Sequence, residues 1–360
     1  MFNFGKKLTL GLDLSDFSLK FVQLEKNKKG FSLINCVKED LPVGLIQRGE
    51  IKKEKELTNI IKGALRKIKR RPFGNREVVC SLPEEKVFIR VIQLPLMKEE
   101  ELGQAVGWEA EAHIPLNINE VYFDWQIIKR PVNQSDHYNI LVGAAPRFLV
   151  DSYFRFLKRS GLKPIALEPE SVAVSRSLIK VVDLTPTILV DLGASGTNFV
   201  ILSASAIYFT SHISISGQLF NRAIMESLGI NEKKAEQLKI EVGLDKAKEK
   251  GKVYQALKPL VEELVNQIKD YTAFYQNQSS RLSRPDGVIG RVLLCGGDSL
   301  LNNLPSFLEQ KLGLTIEIGN PLVNLPGATK GSSPKLSSLS KKEILTYTTA
   351  LGLAMRNLED

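Results

Sequence analysis

The feature that most constrains what this 360-residue chain can fold into is a unit that occurs twice, each copy opening with an apolar strand that ends in an aspartate and a turn of small residues. The first copy carries Gly11-Leu12-Asp13-Leu14-Ser15 within short β-rich runs, Leu8 to Leu14, Leu19 to Glu25 and Phe31 to Val37, separated by turn-forming and charged residues such as Asn27, Lys28, Lys29 and Gly30. A helix follows, with Leu57, Ile60, Ile61, Ala64, Leu65 and Ile68 at helical spacing, and then a strand from Glu77 to Ser81. Past residue 186 the pattern returns as Ile188 to Leu192, Asn198 to Leu202 and Ile207 to Ile213, then helices and the strand Val292 to Cys295. A repeated strand-strand-strand-helix-strand unit predicts two lobes whose opening turns face each other across a cleft.

Those turns have a chemistry. At Asp13, and again in Asp191-Leu192-Gly193-Ala194-Ser195-Gly196-Thr197, backbone N–H groups can approach phosphate while the carboxylate holds a hydrated Mg²⁺. A third turn, Leu294-Cys295-Gly296-Gly297-Asp298-Ser299, brings two glycines to the start of a helix, where a flat base or an α-phosphate can lie against exposed backbone. Each turn alone is an ordinary strand-to-helix corner. Their order and spacing describe a nucleotide site built from two halves.

Material between the copies fits neither. Lys86 to Leu94 and Val121 to Lys129 alternate as strands, Tyr138 to Ala145 reads as a buried strand, and helices fill Glu99 to His113 and Phe148 to Arg159. The expected division is a first lobe over 1–82, an α+β insert over 83–158, a return to the first lobe over 159–185, and a second lobe over 186–360 with a helical subdomain at about 217–285. Gln218 to Leu228, Glu232 to Val242 and Val253 to Gln276 read as its helices, Gly327 to Ser340 as an exposed loop, and Lys342 to Asn357 as one closing helix.

Composition narrows the function. The net charge is +9, but the lysines are spread along the chain without aromatic interleaving, which argues against nucleic acid and leaves attraction to an anionic membrane surface. The densest basic cluster, Arg66, Lys67, Lys69, Arg70 and Arg71, reads as a solvated helix end. Cys36, Cys80 and Cys295 are far apart in apolar stretches, as reduced core residues of a cytosolic protein are. The N-terminus runs into a strand without a signal-peptide core, and the apolar stretch Thr187 to Phe209, interrupted by Asp191 and Asn198, reads as paired strands and not a membrane span.

Together these features resemble the actin-like ATPase superfamily, a duplicated α/β fold of the ribonuclease H-like kind. Within it the chain is similar to the PilM family of type IV pilus assembly, relatives of the division protein FtsA. The resemblance rests on Gly11-Leu12-Asp13-Leu14 with Leu19-Lys20-Phe21-Val22-Gln23-Leu24, on Leu94-Pro95, and on Trp108-Glu109-Ala110-Glu111-Ala112-His113-Ile114-Pro115-Leu116 continuing to Glu120-Val121 and Asp124. It implies ATP and Mg²⁺ as cofactors, with Asp13 and Asp191 holding the metal through water. Ser15, Lys20, Gly193, Ala194, Ser195, Thr197 and Gly217 are then implied around the phosphates, Glu236 and Lys239 at ribose and base, and Gly296, Gly297 and Ser299 along the adenosine pocket. Glu168 and Glu170 fall where related ATPases place a water-polarising residue.

For partners, the resemblance implies the short cytoplasmic N-terminal peptide of PilN, a bitopic membrane protein, taken into a groove or edge of the insert. It also implies contact with the pilus platform and its motor ATPases, peripheral residence on the inner face of the cytoplasmic membrane, and leaves self-association open. Where the superfamily's first loop reads Asp-Ile-Gly-Ser-Ser-Ser, this chain has Asp13-Leu14-Ser15-Asp16-Phe17-Ser18. A carboxylate at Asp16 is expected to face the triphosphate and to make hydrolysis slow or absent. An FtsA-like division protein and a small-molecule kinase of the same superfamily remain alternatives at this stage.

Overall fold

The computed structural model describes residues 7–27, 30–68, 76–128, 137–180, 182–203, 206–281, 287–325 and 339–356. The chain opens with β1 (Lys7–Leu14), β2 (Ser18–Asn27), β3 (Gly30–Asp40), a hairpin of β4 (Ile46–Gln47) and β5 (Glu50–Ile51), α1 (Glu54–Lys67) and β6 (Glu77–Leu82). The insert supplies β7 (Phe88–Pro95), α2 (Glu99–His113), β8 (Val121–Ile127) and β9 (His137–Pro146), and the chain returns through α3 (Arg147–Arg159), β10 (Lys163–Pro169) and α4 (Glu170–Leu178). The second half contains β11 (Thr187–Leu192), β12 (Thr197–Ser203), β13 (Ala206–Ile213), α5 (Gly217–Leu228), α6 (Glu232–Glu241), α7 (Lys252–Arg281), β14 (Arg291–Cys295), α8 (Leu304–Leu312) and β15 (Thr315–Ile318). Helices α9 (Lys341–Thr346) and α10 (Thr348–Met355) follow.

The duplication is visible in the sheets. One sheet has the order β10-β6-β1-β2-β3, and the other contains β15-β14-β11-β12-β13, the same arrangement strand for strand. In each, the aspartate strand pairs antiparallel with its successor and parallel with a later strand: β1 with β2 and β6, β11 with β12 and β14. Parallel pairing brings the carboxyl ends of both strands to one edge of the sheet, where ligand crevices of open α/β sheets form. The insert's strands continue the second sheet as β13-β7-β9-β8, through a contact between Phe209 and Arg90.

The packing redraws two of the expected boundaries. Helix α3, placed in the insert by the sequence, turns Leu149, Tyr153, Phe156 and Leu157 into the first lobe's core against Leu57, Ile61 and Ala64 of α1. Its amphipathic face matches that core, and the Tyr153 hydroxyl donates to the Gly49 carbonyl at 2.8 Å. The insert's own core is confined to β7, α2, β8 and β9, with Leu102, Val106, Ala110 and Ile114 buried, while Trp108 on α2 is 66% exposed. The closing helix, expected within the second lobe, instead packs on the first: Ala350, Leu351, Ala354 and Met355 of α10 meet Val22 and Leu24 of β2. It also breaks in two at Tyr347, and Asn357 lies outside the described residues. So do Lys69, Arg70 and Arg71 of the basic cluster, Lys28 and Lys29, Lys129, and most of the loop expected over 327–340.

Helices α4 and α10 are pressed together between the two sheets. A Cβ on Gly352 would stand 1.8 Å from the Ala173 carbonyl oxygen, and one on Gly11 2.2 Å from that of Ala350, so backbone touches backbone at both positions. Gly352→Ala is therefore expected to separate α4 from α10 and to cost about 1–3 kcal/mol or more. Calorimetric unfolding would show this as a lowered midpoint, and an unchanged midpoint would mean that the helices are not held by that contact.

Candidate functional site: a carboxylate-lined cleft between the lobes

The turns that end β1, β11 and β14 open onto one cleft of about 550 Å³, within the roughly 300–1,000 Å³ of small-molecule sites. Asp13 projects from β1 and is 5% exposed. Lys20, its cross-strand neighbour on β2, places Nζ 2.8 Å from Asp13 Oδ2, while Ser81 Oγ at the end of β6 lies 3.5 Å from Oδ1. Burial opposes the charge on Lys20, yet Asp13 outweighs it and holds the ammonium above its ordinary 10.5. On the opposite wall, burial pushes Asp191 up to about 6, with the charge of Asp13 adding to the effect.

Between them stands Glu170, the first residue of α4. Burial, and then Asp13 and Asp191, push its carboxyl well above the ordinary range. Glu170 Oε2 accepts from Asn198 Nδ2 at 2.8 Å, and Asn198 Oδ1 lies 2.6 Å from His212 Nδ1. Glu84, 4% exposed, accepts the Ser171 N–H at 2.9 Å through Oε2, whereas its Oε1 is buried with no hydrogen-bond partner among the described residues.

The second lobe's turn is closed by Gly193 N–H donating to the Gly196 carbonyl at 2.9 Å, and is stitched to α5 by Gly217 N–H to Gly193 O and Gln218 N–H to Ala194 O. Ser216 caps α5 by accepting from Leu219 N–H. The positive end of a twelve-residue helix thus stands beside the turn. The cleft's walls carry Asp13, Asp16, Glu84, Glu85, Glu170, Asp191 and Asp298 against Lys20, Lys38 and Arg48. A polyphosphate entering this field requires cations, and a hydrated divalent ion fits a donor set of carboxylates on facing turns with a buried, unsatisfied carboxylate oxygen close by.

Of the residues named from sequence, Asp13, Ser15, Lys20, Glu170, Asp191, Gly193, Ala194, Ser195, Gly296 and Gly297 line this cleft. Others do not. Glu168, near the end of β10 and two residues before α4, faces away: Arg176 grips both its carboxylate oxygens at 2.7 and 2.8 Å and Arg356 adds a third bond at 2.7 Å. That leaves Glu170 as the one of the two expected carboxylates on the cleft. Thr197 is buried with Oγ1 donating to the Ile215 carbonyl before α5, and Ser299 Oγ donates to the Gly296 carbonyl of its own turn, so both hydroxyls are taken up by backbone.

Glu236 and Lys239 sit behind the wall, where Lys239 Nζ reaches Glu236 at 2.7 Å and Asp298 at 2.5 Å. Gly217 is held against Asp298, since a Cβ there would stand 1.9 Å from Asp298 Oδ2. Burial raises the Asp298 carboxyl, with Lys239 opposing. Asp16 has a partner the sequence did not show: its oxygens accept backbone N–H groups of Arg48 at 2.7 Å and Gly49 at 2.9 Å. This carboxylate remains on the cleft wall while it also fixes the β4–β5 turn. Asn198, His212 and Glu84 were missed because each reaches the cleft from a strand or corner with no motif of its own. The cross-strand pairing of Asn198 with Asp191 was the available signal.

A second concavity, a groove of about 1,090 Å³, runs between the insert sheet and α4, lined by Ile89, Tyr122, Leu141, Gly143, Ala145 and Val172 among others. Its floor also carries the Glu168, Arg176 and Arg356 cluster. Trp108 and the α2 helix stand outside this lining, on the opposite face of the insert sheet.

The raised Asp191 gives a pH prediction. Between its ordinary 3.8 and its folded value of about 6, the native chain holds a proton that the unfolded chain has released, so stability falls as pH rises through that interval. Without divalent cations, Asp191→Asn is expected to gain on the order of 1–3 kcal/mol at pH 7.5 and almost nothing at pH 4. Urea denaturation at the two pH values measures this, and an equal effect at both would contradict it.

Residues 11–358 match the family of type IV pilus assembly protein PilM. Among solved structures, the chain is 26% identical to one in the PilM-PilN type IV pilus biogenesis complex, with a TM-score of 0.79 over 99% of this chain and 100% of that one. It shares its fold with the ethanolamine utilization protein EutJ from Carboxydothermus hydrogenoformans, at 12% identity and a TM-score of 0.57 over 98% of this chain and 90% of that one. The fold also matches MreB5 of Spiroplasma citri bound to AMPPNP, at 11% identity and a TM-score of 0.56 over 99% and 97%. The fold is therefore the actin-like one expected from the duplicated turns, and the chain belongs to the PilM family of type IV pilus assembly proteins.

Proposed function

We propose that this chain is a nucleotide-binding docking protein of pilus assembly: it takes Mg-ATP in the cleft and an extended cytoplasmic peptide of a PilN-like bitopic membrane protein in the groove. The observation that carries the nucleotide half is the convergence of Asp13 and Asp191, equivalent residues of a duplicated fold, on one cavity. These carboxylates hold a hydrated Mg²⁺, Ala194 and Ser195 present the phosphate turn beside the α5 N-terminus, and Gly296 and Gly297 leave backbone open to the nucleoside. When bound, Mg-ATP supplies a hydrolysable phosphoanhydride; Glu170, held by Asn198, stands where it can orient a water molecule. The same fold is bound to AMPPNP in the Spiroplasma citri MreB5 structure.

The groove supports the partner half. A relative was solved as a PilM-PilN complex, and the groove here sets apolar Ile89, Leu141, Ala145 and Val172 beside the Glu168, Arg176 and Arg356 cluster, with the outer strand β8 at the end of the sheet. An extended peptide gains affinity from backbone pairing and specificity from alternate side-chain pockets. No helix among the described residues is long and apolar enough to cross a membrane, so membrane residence in this reading comes through the partner, with the chain's positive charge assisting at the inner face. Through that partner the chain connects to the platform and its motor ATPases. Family membership favours this reading over a division protein or a small-molecule kinase.

Two measurements test the two halves separately. In calorimetric titration with Mg²⁺ and ATP, Asp191→Ala is expected to reduce affinity at least tenfold, and equal affinity would remove the metal role. For the groove, Gly143 has no neighbour within 4 Å of an added Cβ, so Gly143→Leu should fold normally and fill the groove floor. Fluorescence anisotropy with a labelled PilN-like N-terminal peptide should show at least a tenfold loss, with ATP binding unchanged. Undiminished peptide affinity would place the docking site elsewhere.

A further inference from the structure

His212 is one of three histidines, and it stands on the cleft wall without a role in the site assembled from sequence. Its ring is fixed at one end, where Nδ1 lies 2.6 Å from Asn198 Oδ1. The Asn198 amide is oriented by its other contact, where Nδ2 donates to Glu170 Oε2 at 2.8 Å. The amide oxygen therefore faces the ring, Nδ1 carries the hydrogen, and Nε2 is left as the working nitrogen. The other end of the ring presses on the phosphate turn: a Cβ on Gly196 would stand 2.2 Å from His212 Cε1 and 2.6 Å from Nε2. Glycine at 196 is thus required by the imidazole, and the imidazole reaches the turn only because residue 196 is glycine.

We propose that His212 is a phosphate ligand of this cleft, donating from Nε2 to the terminal phosphate of a nucleoside triphosphate seated on the Gly193–Gly196 turn. The inference rests on the nucleotide reading of the cleft. Its neighbours say why a histidine is suited to the task. The lysine closest to the carboxylates, Lys20, is committed to Asp13, and Lys38 pairs with Asp40 at 3.1 Å. Glu85, from the start of the insert, acts on the imidazole directly and Glu170 through Asn198, while Glu84 lines the same cleft. Burial holds the free imidazole below its ordinary 6.5 against the pull of Glu85, so at neutral pH it is uncharged and adds no cation to an empty cleft. Phosphate arriving at Nε2 raises the proton affinity of the ring, which then takes up a proton and donates. Because the bound form has the higher pKa, this contribution is fully present at low pH and is lost as pH rises through the bound value.

The test compares ATP with ADP, since only the triphosphate reaches the ring. In titrations of the full chain with Mg²⁺ at pH 7, His212→Gln, which keeps Asn198 paired, is expected to lower the ATP:ADP affinity ratio by roughly ten- to a hundredfold, the range for hydrogen bonds to charged groups. Calorimetry in buffers of different ionisation enthalpy should show proton uptake on ATP binding by the unaltered chain and none by the variant. NMR titration of the unaltered chain gives an independent view: adding Mg-ATP should raise the pKa of one of the three imidazoles. An unchanged affinity ratio, or three imidazoles that ignore ATP, overturns the role of His212 while leaving the nucleotide site intact. Failure to bind ADP as well as ATP overturns both.

Discussion

Two carboxylates that approach each other in a partly dry cleft are the constraint around which this molecule is arranged. Asp13 and Asp191 end equivalent strands of two copies of one sheet, and the duplication is what points them at each other. Their charges repel, and the fold answers with Lys20 on one side and with a carboxyl at Asp191 that takes a proton more readily than usual. Glu170 is pushed in the same direction. Carboxyl groups gathered this closely carry an electrostatic penalty, as functional sites commonly do.

What holds the two copies at the distance this requires is a pair of helices between them. Val174 and Leu178 of α4 pack on Leu189, Val200 and Leu293 of the second sheet, while α10 packs on the first sheet and against α4 through Gly352 and Ala173. The N-terminus of α4 delivers Glu170 to the cleft, and its side delivers Val172 and Arg176 to the groove. One helix therefore forms a wall of both concavities. So does the corner after β6, with Glu84 on the cleft and Leu82 and Val87 on the groove.

The legible part of this arrangement was the part carried by local pattern. Alternation and helical spacing gave most strands and helices, and the aspartate turns marked the cleft because small residues after a strand's end leave a specific trace. Side chains that serve the backbone leave the same trace: Thr197 and Ser299 look like ligands in sequence and are hydrogen-bonded to backbone carbonyls in the fold. Glu and Lys three residues apart on a helix commonly form an exposed pair, yet Lys239 is 2% exposed because Asp298, far along the chain, receives its ammonium. Helix α3 was misassigned for the same reason. Its apolar face is unambiguous, but the core it enters is built from residues a hundred positions earlier, and amphipathicity does not name its partner.

The groove follows from a period of two. Along β9, Ile140, Val142 and Ala144 are buried against α2 in the insert's own core, and the intervening Leu141, Gly143 and Ala145 face α4. Had the groove-facing side chains matched the size of those on the other face, the sheet would have closed on α4 as it does on α2. Instead Gly143 meets nothing within 4 Å of where a Cβ would stand, and Tyr122, Asp124 and Gln126 of the adjoining edge strand remain exposed along the rim. A sheet packed fully on one face, left open by small residues on the other, and ending in a strand at its edge is shaped to accept a further extended segment. The same alternation that secures the insert's core thus creates the space beside it.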